Sequence, residues 1–177
     1  MDDIGDMVQE PYYLRNNQNT SIDIFAAKLD FSKSLESRLK IDIGTKYSNV
    51  STDNVTTFES KQEGVWTEET NRSNSFNYDE EVLAGYAMLS KTLGKFNVQA
   101  GLRVEHTLST GNSITLDQIV DRKYTDFFPS LNISHTVGEK HNLSYSYSRR
   151  LNRPDYDDLN PFVEFLDLYT FEKGNPS

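Results

Sequence analysis

The longest unbroken alternation of apolar and polar residues in the chain runs over positions 96–108. Its even positions carry Phe96, Val98, Ala100, Leu102, Val104 and Leu108, with His106 the one exception, and between them stand Asn97, Gln99, Gly101, Arg103, Glu105 and Thr107. Successive side chains of a strand point to opposite faces, so the stretch predicts a strand with one apolar face and one face of charges and amides. Soluble strands usually run to about 5 or 6 residues, whereas a tilted membrane-spanning strand needs roughly 9 to 11. This stretch is long enough to span. A long edge or surface strand of a soluble sheet fits the same alternation, with its polar face in water.

Taken in order, residues 1–20 read as an irregular polar lead-in, marked by Pro11 and the run Asn16-Asn17-Gln18-Asn19. Residues 21–32 read as a strand whose phase slips: Ile22 and Ile24 fall on one face and Phe25, Ala27, Leu29 and Phe31 on the other, which predicts a bulge near Phe25. After a short connection at 33–37, Leu39, Ile41, Ile43, Thr45 and Tyr47 alternate with Lys40, Asp42, Gly44, Lys46 and Ser48. Residues 49–79 are polar, rich in Thr, Ser, Asn and Glu, and read as a long loop carrying Phe58, Trp66, Phe76 and Tyr78. Patterning resumes at Glu80 and runs to Leu93, where Gly94-Lys95 turns the chain tightly into the strand at 96–108. A second long loop is expected at 109–121, then a strand at 124–137 interrupted by Pro129. Gly138-Glu139-Lys140 makes the next tight turn, into a last strand at 141–150. Residues 151–177 form the third long loop.

Six strands thus fall into three hairpins, short inside each hairpin and long between them. The same asymmetry belongs to outer-membrane barrels, with short periplasmic turns on one rim and long external loops on the other. The predicted fold class is therefore all-β: an antiparallel up-and-down meander of about six long strands, a segment of a larger transmembrane β-barrel. Residues 1–20 stand apart from it as the lead-in, and 21–177 form the barrel segment. Tyr47, Tyr86, Tyr124, Tyr145, Tyr147, Phe96 and Phe127 would supply aromatic girdles at the membrane interfaces. Aromatic residues are also good strand formers anywhere, so a soluble β-sandwich stays open on pattern alone.

Composition leaves that choice where it stands. The 177 residues are 36% hydrophobic, with mean hydropathy −0.66 and no apolar run long enough for a transmembrane helix. A barrel strand is only half apolar and escapes such an average. Net charge of −9 argues against nucleic-acid binding, which needs a basic face to neutralise phosphates. Without cysteine there are neither disulfides nor thiolate chemistry. Met1-Asp2-Asp3-Ile4-Gly5-Asp6 lacks the basic and apolar regions of an export signal, so an outer-membrane location would make this chain a piece of something longer.

Chemical motifs are sparse. His106, His135 and His141 lack metal-ligand spacing. Asp155-Tyr156-Asp157-Asp158 lacks the glycine and terminal glutamate of a calcium-binding EF-hand loop and reads as a solvated acidic turn. Asn-X-Ser/Thr triplets such as Asn132-Ile133-Ser134 are what polar strand faces produce by chance. No Ser/His/Asp set or phosphate loop stands out, so neither enzyme activity nor a metal or cofactor is expected.

Several spaced motifs resemble the outer-membrane β-barrel region of TonB-dependent receptor-type proteins of the Bacteroidetes group. They are Phe127-Phe128-Pro129-Ser130-Leu131-Asn132, Tyr145-Ser146-Tyr147-Ser148-Arg149-Arg150-Leu151-Asn152-Arg153-Pro154, Asp158-Leu159-Asn160-Pro161-Phe162 and Gly174-Asn175-Pro176, with Gly101-Leu102-Arg103-Val104-Glu105 fitting the same pattern. The resemblance implies a segment of a closed barrel of about twenty-two strands around a plug. It also implies residence in the outer membrane of a Gram-negative bacterium and a role in nutrient uptake, the nutrient being a siderophore, a glycan or a similar compound. Implied partners are outer-membrane lipid, the nutrient, and the energy-coupling TonB system acting through a plug absent from this chain. The alternative is a β-rich surface protein binding carbohydrate or a partner through the aromatic-rich stretch at 49–79. Candidate binding residues are Arg150, Arg153 and Trp66. Arginine offers a bidentate fork for carboxylate or phosphate, but the favoured reading is structural: Arg149, Arg150 and Arg153 pair with Asp155, Asp157, Asp158 or Glu164, acids of matching number close by in sequence, and pin their own loop. Strand phase places Arg150 on the lumenal side with Ser144, Ser146 and Ser148, and Arg149 toward the lipid interface with the tyrosines.

Overall fold

In a computed structural model the described residues are 12–36, 38–138, 141–153, 156–165 and 170–175. Six long strands follow the chain in order: β1 (Tyr13–Leu35), β2 (Leu39–Gln62), β4 (Asn74–Leu93), β5 (Phe96–Ser113), β6 (Gln118–Val137) and β7 (His141–Ser148). Each pairs antiparallel with the next, and a short strand β3 (Val65–Glu68) folds back on the end of β2. This is the predicted up-and-down meander, curved into a half-barrel. No helix among the described residues is long and apolar enough to cross a membrane.

Register decides which residues share a face. Across the sheet, Phe31, Ile43, Ala87, Leu102 and Pro129 lie in one row, and Leu29, Thr45, Gly85, Val104 and Phe127 in the row above it. One face therefore presents a continuous apolar band: Phe25 to Leu35 on β1, Leu39 to Tyr47 on β2, Leu83 to Leu93 on β4, Phe96 to Leu108 on β5 and Phe127 to Val137 on β6. Each strand contributes about 9 to 13 positions, the span a tilted strand needs to cross a bilayer. Many of the large apolar side chains in the band stay exposed, as lipid-facing groups must: Leu29 is 72% and Phe127 52% accessible. The opposite face gathers every buried residue of the long strands, from Thr52, Asn54 and Thr56 to Glu105, Thr107 and Ser109.

Closely spaced side chains are expected on the concave, lumenal side of a curved sheet. A Cβ at Gly44, which lies on that face, would come within 2.5 Å of the Asp30 carboxylate and the Tyr86 ring, whereas one at Gly85 on the lipid face would meet nothing within 4 Å. The connections from β1 to β2, from β4 to β5 and from β6 to β7 lie at one rim. Gly94-Lys95 closes the Leu93–Phe96 pair with Gly94 at φ 60°, the positive value that a two-residue type II′ turn requires of its first residue. Gly138 at φ 63° opens the turn after β6; Glu139 and Lys140 fall outside the described residues.

Several expectations are corrected. Residues 13–20 are not a lead-in loop but the first third of β1, while residues 1–11 lie outside the described residues. No bulge breaks β1: its ladder with β2 is continuous from Tyr13↔Lys61 to Leu35↔Leu39, so Ile22 and Ile24 point to the lumenal face. The stretch 49–79 is mostly strand, since β2 runs to Gln62 and β4 starts at Asn74. Between them a two-residue turn, Glu63 at φ 51° and Gly64 at φ 85°, leads into β3. The stretch 109–121 reduces to a turn at 114–117. Here the strands continue beyond the apolar band with a polar outer face and a lumenal face that mixes Phe58, Phe76 and Tyr78 with Thr, Asn and Ser, so no sustained apolar alternation marks them.

Pro129 does not interrupt β6. In an antiparallel ladder the N–H and C=O of one residue point to the same neighbour. The Pro129 carbonyl accepts from Arg149 N at 3.2 Å, so its missing donor faces the end of β7, where pairing stops at Ser130↔Ser148. Residues 151–177 hold a helical turn α1 (Tyr156–Leu159) and a small hairpin of β8 (Val163–Phe165) and β9 (Phe171–Lys173). Of the expected girdle residues, Tyr47, Phe96, Phe127, Tyr145 and Tyr147 lie on the lipid face. Tyr86 and Tyr124 do not: they share the lumenal rows with Arg103 and Thr107.

Candidate functional site

Within the height of the apolar band and on toward the rim of the longer connections, the lumenal face is lined by charged and polar rows. Arg103 and Glu105 are two apart on β5, so both point inward, and the register sets Glu105 beside Ala84 on β4 and Asp126 on β6. Across this wall lie Arg153, just past the end of β7, and the segment 156–162. Arg153 reaches down to Glu105 and donates to Thr107 Oγ1 at 3.3 Å. Further along, Leu159 packs against Phe76 and Tyr78 in a small buried cluster, and Pro161 lines the same cavity with Gly111 and Val120. Asn74 Nδ2 donates to Asn160 Oδ1 at 3.4 Å. Arg153 and the segment are thus both held on the inner wall.

The charged contact is centred on one carboxylate. Glu105 Oε1 accepts from Arg103 Nε and Oε2 from Arg153 Nη2, with the Glu105 side chain only 9% exposed. Two guanidinium groups share one anion. Arg153 Nε is buried without an acceptor among the described residues. Beside the cluster, Arg149 donates to Asp126 at 3.2 Å and to the Phe127 carbonyl at 2.8 Å, with its guanidinium 5.8 Å from the Phe128 ring. Beside Leu159, burial, then the neighbouring Glu80 carboxylate, pushes the Tyr78 phenol up to about 12.

The sequence-predicted residues separate here. Arg153 is in the cluster. Arg150 is exposed just past the end of β7, and no partner of it is seen among the described residues. Trp66 sits on β3 at the rim, with the Arg15 guanidinium 4.4 Å and the Lys61 ammonium 5.9 Å from its ring, and Arg15 is itself paired with Glu59. Arg149 turns to lumenal Asp126 rather than to the lipid interface, because β7 ends before it and strand phase no longer aims it. The acids engaged by Arg149 and Arg153 stand on the wall, Asp126 and Glu105. Asp155 falls outside the described residues, as do the side chains of Asp157 and Glu164. Sequence reasoning passed over Arg103 and Glu105 as site residues, although opposite charges two apart on the polar phase of a strand must meet on one face.

A six-stranded up-and-down sheet with a membrane-width apolar band outside and a charged, covered wall inside is a segment of an outer-membrane β-barrel. The chain belongs to the outer membrane protein beta-barrel family, whose model matches residues 2–177. The unliganded ferric citrate transporter FecA is similar in structure, with TM-score 0.54 and 14% identity over 75% of this chain and 20% of that one. The ferric yersiniabactin uptake receptor FyuA from Yersinia pestis is similar too, with TM-score 0.52 and 15% identity over 71% of this chain and 20% of that one. At these identities the likeness is one of fold, and the chain spans about a fifth of either structure. No curated protein matches the chain. The protein is an outer-membrane protein, and the resemblance to TonB-dependent receptor barrels read in the sequence agrees with its family and its structural neighbours.

Proposed function

We propose that the chain forms one wall of an import barrel that takes a scarce nutrient, a siderophore, a glycan or a similar compound, across the outer membrane. In this reading a plug outside this chain closes the lumen and the TonB system supplies the energy. The observation that carries the reading is the inner wall itself: a lumenal charge cluster facing the path a solute would take. The longer connections, with β3 and Trp66, face the exterior, and the rim that carries the Gly94-Lys95 turn faces the periplasm. Arg150, exposed beside the mouth, is the first solute contact. Binding of carbohydrate or a partner through Trp66 is the less supported reading, because Arg15 and Lys61 already occupy its ring.

The test is growth of a gene-deletion strain on single limiting nutrients, iron chelates and glycans in turn. Loss of growth on one class is expected, with restoration by the intact gene only in cells with a working TonB system. Equal growth across the panel would overturn the reading.

A further inference from the structure

We propose that Lys33, Lys91 and His135 form a row of phosphate contacts for phospholipids of the periplasmic leaflet, one at each hairpin that closes at that rim. The contact is independent of the import reading and takes only its leaflet from the proposed orientation.

A short pattern of apolar, serine, basic, hydroxyl and apolar residues occurs at Phe31-Ser32-Lys33-Ser34-Leu35, Leu89-Ser90-Lys91-Thr92-Leu93 and Ile133-Ser134-His135-Thr136-Val137. Each copy ends β1, β4 or β6, and its last residue belongs to the closing pair of a hairpin: Leu35↔Leu39, Leu93↔Phe96 and Val137↔His141. Alternation puts the apolar and basic residues of each copy on the outward face and the hydroxyl residues on the lumenal face. Lys33, Lys91 and His135 therefore hold equivalent places, one outward position above the closing pair. That is about 7 Å along a strand and, at a tilt of about 45°, about 5 Å above the edge of the apolar band. A lysine facing hydrocarbon is costly at the midplane and tolerated near an interface, where its stem lies along apolar surface and its ammonium reaches the headgroups.

Lipid phosphate is the anion at that depth. From Phe31, Ile43, Ala87, Leu102 and Pro129 down to the closing pairs, no Asp or Glu stands on the outward face of the described strands. Nearby acids lie elsewhere: Asp30 and Asp42 are lumenal and paired with Lys28 and Lys40, and Glu36 lies past the end of β1. Glu139 falls outside the described residues. Lys33 and Lys91 are exposed and hold no ion pair among the described residues. His135 is half-buried and stacks on Phe96 with ring centroids 4.0 Å apart, and its Nδ1 has no partner among the described residues. Toward the opposite rim the outward rows carry Asp23, Asp53, Asp79, Glu81 and Asp121 against Lys123. The outer face is thus basic at one edge of the band and acidic beyond the other, and phosphates fit only the first.

The experiment uses the intact barrel in phosphatidylcholine vesicles, with a fluorophore on Val98→Cys, the outward neighbour of Lys91. Phospholipids bearing a nitroxide on the acyl chain quench it when they are bound beside it. Phosphatidylglycerol should compete about three- to five-fold better than phosphatidylcholine for that place, as expected of one lysine near an anionic headgroup, and diacylglycerol should compete worse than either. Lys91→Gln should abolish the preference and Lys91→Arg should keep it. A fluorophore on Leu83→Cys, higher in the band, should show none. Equal quenching by all three lipids at position 98, an unchanged preference in Lys91→Gln, or the same preference at position 83 overturns the proposal. Relief of the quenching by sodium phosphate also overturns it, since the groups would then bind the free anion. Heat-modifiable migration on gels establishes that each variant is folded. Should Lys91→Gln fail to fold, Lys33→Gln with the fluorophore on Ile41→Cys carries the same expectations. Labelling of Lys95→Cys on whole cells by an impermeant thiol reagent would put the row in the outer leaflet and overturn the assignment. The lipid preference without any nutrient-specific growth defect sinks the import reading alone, and a growth defect without the preference sinks this proposal alone.

Discussion

A single arginine placed on the lipid face tests the assignment of the two faces in energetic terms. Leu102 stands at the centre of the β5 band, six positions from Phe96 and six from Leu108. At about 3.4 Å per residue and a tilt of about 45°, that puts it roughly 14 Å from either edge, close to the bilayer midplane. An arginine at that depth costs about 2–4 kcal/mol, and near an interface about 0–1 kcal/mol. Leu102→Arg should therefore lower the folding equilibrium constant of the intact barrel roughly 30- to 900-fold. Leu108→Arg should cost far less, since Leu108 already neighbours Glu81 and Lys123 in its own row. Gln99→Arg, on the lumenal face one and a half residue pairs below Leu102, should cost close to nothing. Urea unfolding in lipid vesicles, followed by tryptophan fluorescence and by gel migration, gives the three values side by side. Equal costs for Leu102→Arg and Gln99→Arg, or a Leu102→Arg cost below about 1 kcal/mol, would refute the assignment.

Three further outcomes are expected. Gly44→Ala should cost about 0.5–1.5 kcal/mol by displacing the Tyr86 hydroxyl from Asp30, while Gly85→Ala at the same height costs nothing; equal effects in vesicle unfolding would contradict the curvature. Because the folded Tyr78 phenol is raised to about 12, its contribution to stability is complete below about pH 10 and lost as pH rises toward 12. Tyr78→Phe should flatten that alkaline loss, and an unchanged pH profile would contradict the burial described. An impermeant thiol reagent on whole cells should label Thr70→Cys but not Lys95→Cys, and the reverse would invert the proposed orientation.

Legibility in the sequence followed the lipid. Where one face meets hydrocarbon, Phe96 to Leu108 and Leu39 to Tyr47 alternate cleanly, and those strands and their turns were readable. Beyond the band the outer face is polar and the lumenal face mixes Phe58, Phe76 and Tyr78 with polar residues, so Asn54, Thr56 and Ser60 gave no periodic signal although they lie in unbroken ladder. Ile22 and Ile24 misled in the opposite sense, because apolar residues on a lumenal face imitate a phase slip. Pro129 looked like an interruption because its missing N–H costs nothing only where the neighbouring strand ends, a fact of pairing and not of local sequence. The candidate site was half legible. Arg153 stood out as a cation after the last strand, but its partner Glu105 lies 48 positions earlier, and only the fold brings them together.

The central claim, that even positions of β5 face lipid and odd positions face the lumen, is tested most directly by a nitroxide scan of residues 96–108 in the intact barrel in vesicles. Collision with oxygen, which concentrates in lipid, should peak at 96, 98, 100, 102, 104 and 108, and collision with a water-soluble nickel chelate at 97, 99 and 101. A strict period of two between the probes is the expected result. Equal access of the nickel chelate to both sets, or the opposite phase, would contradict the barrel wall described.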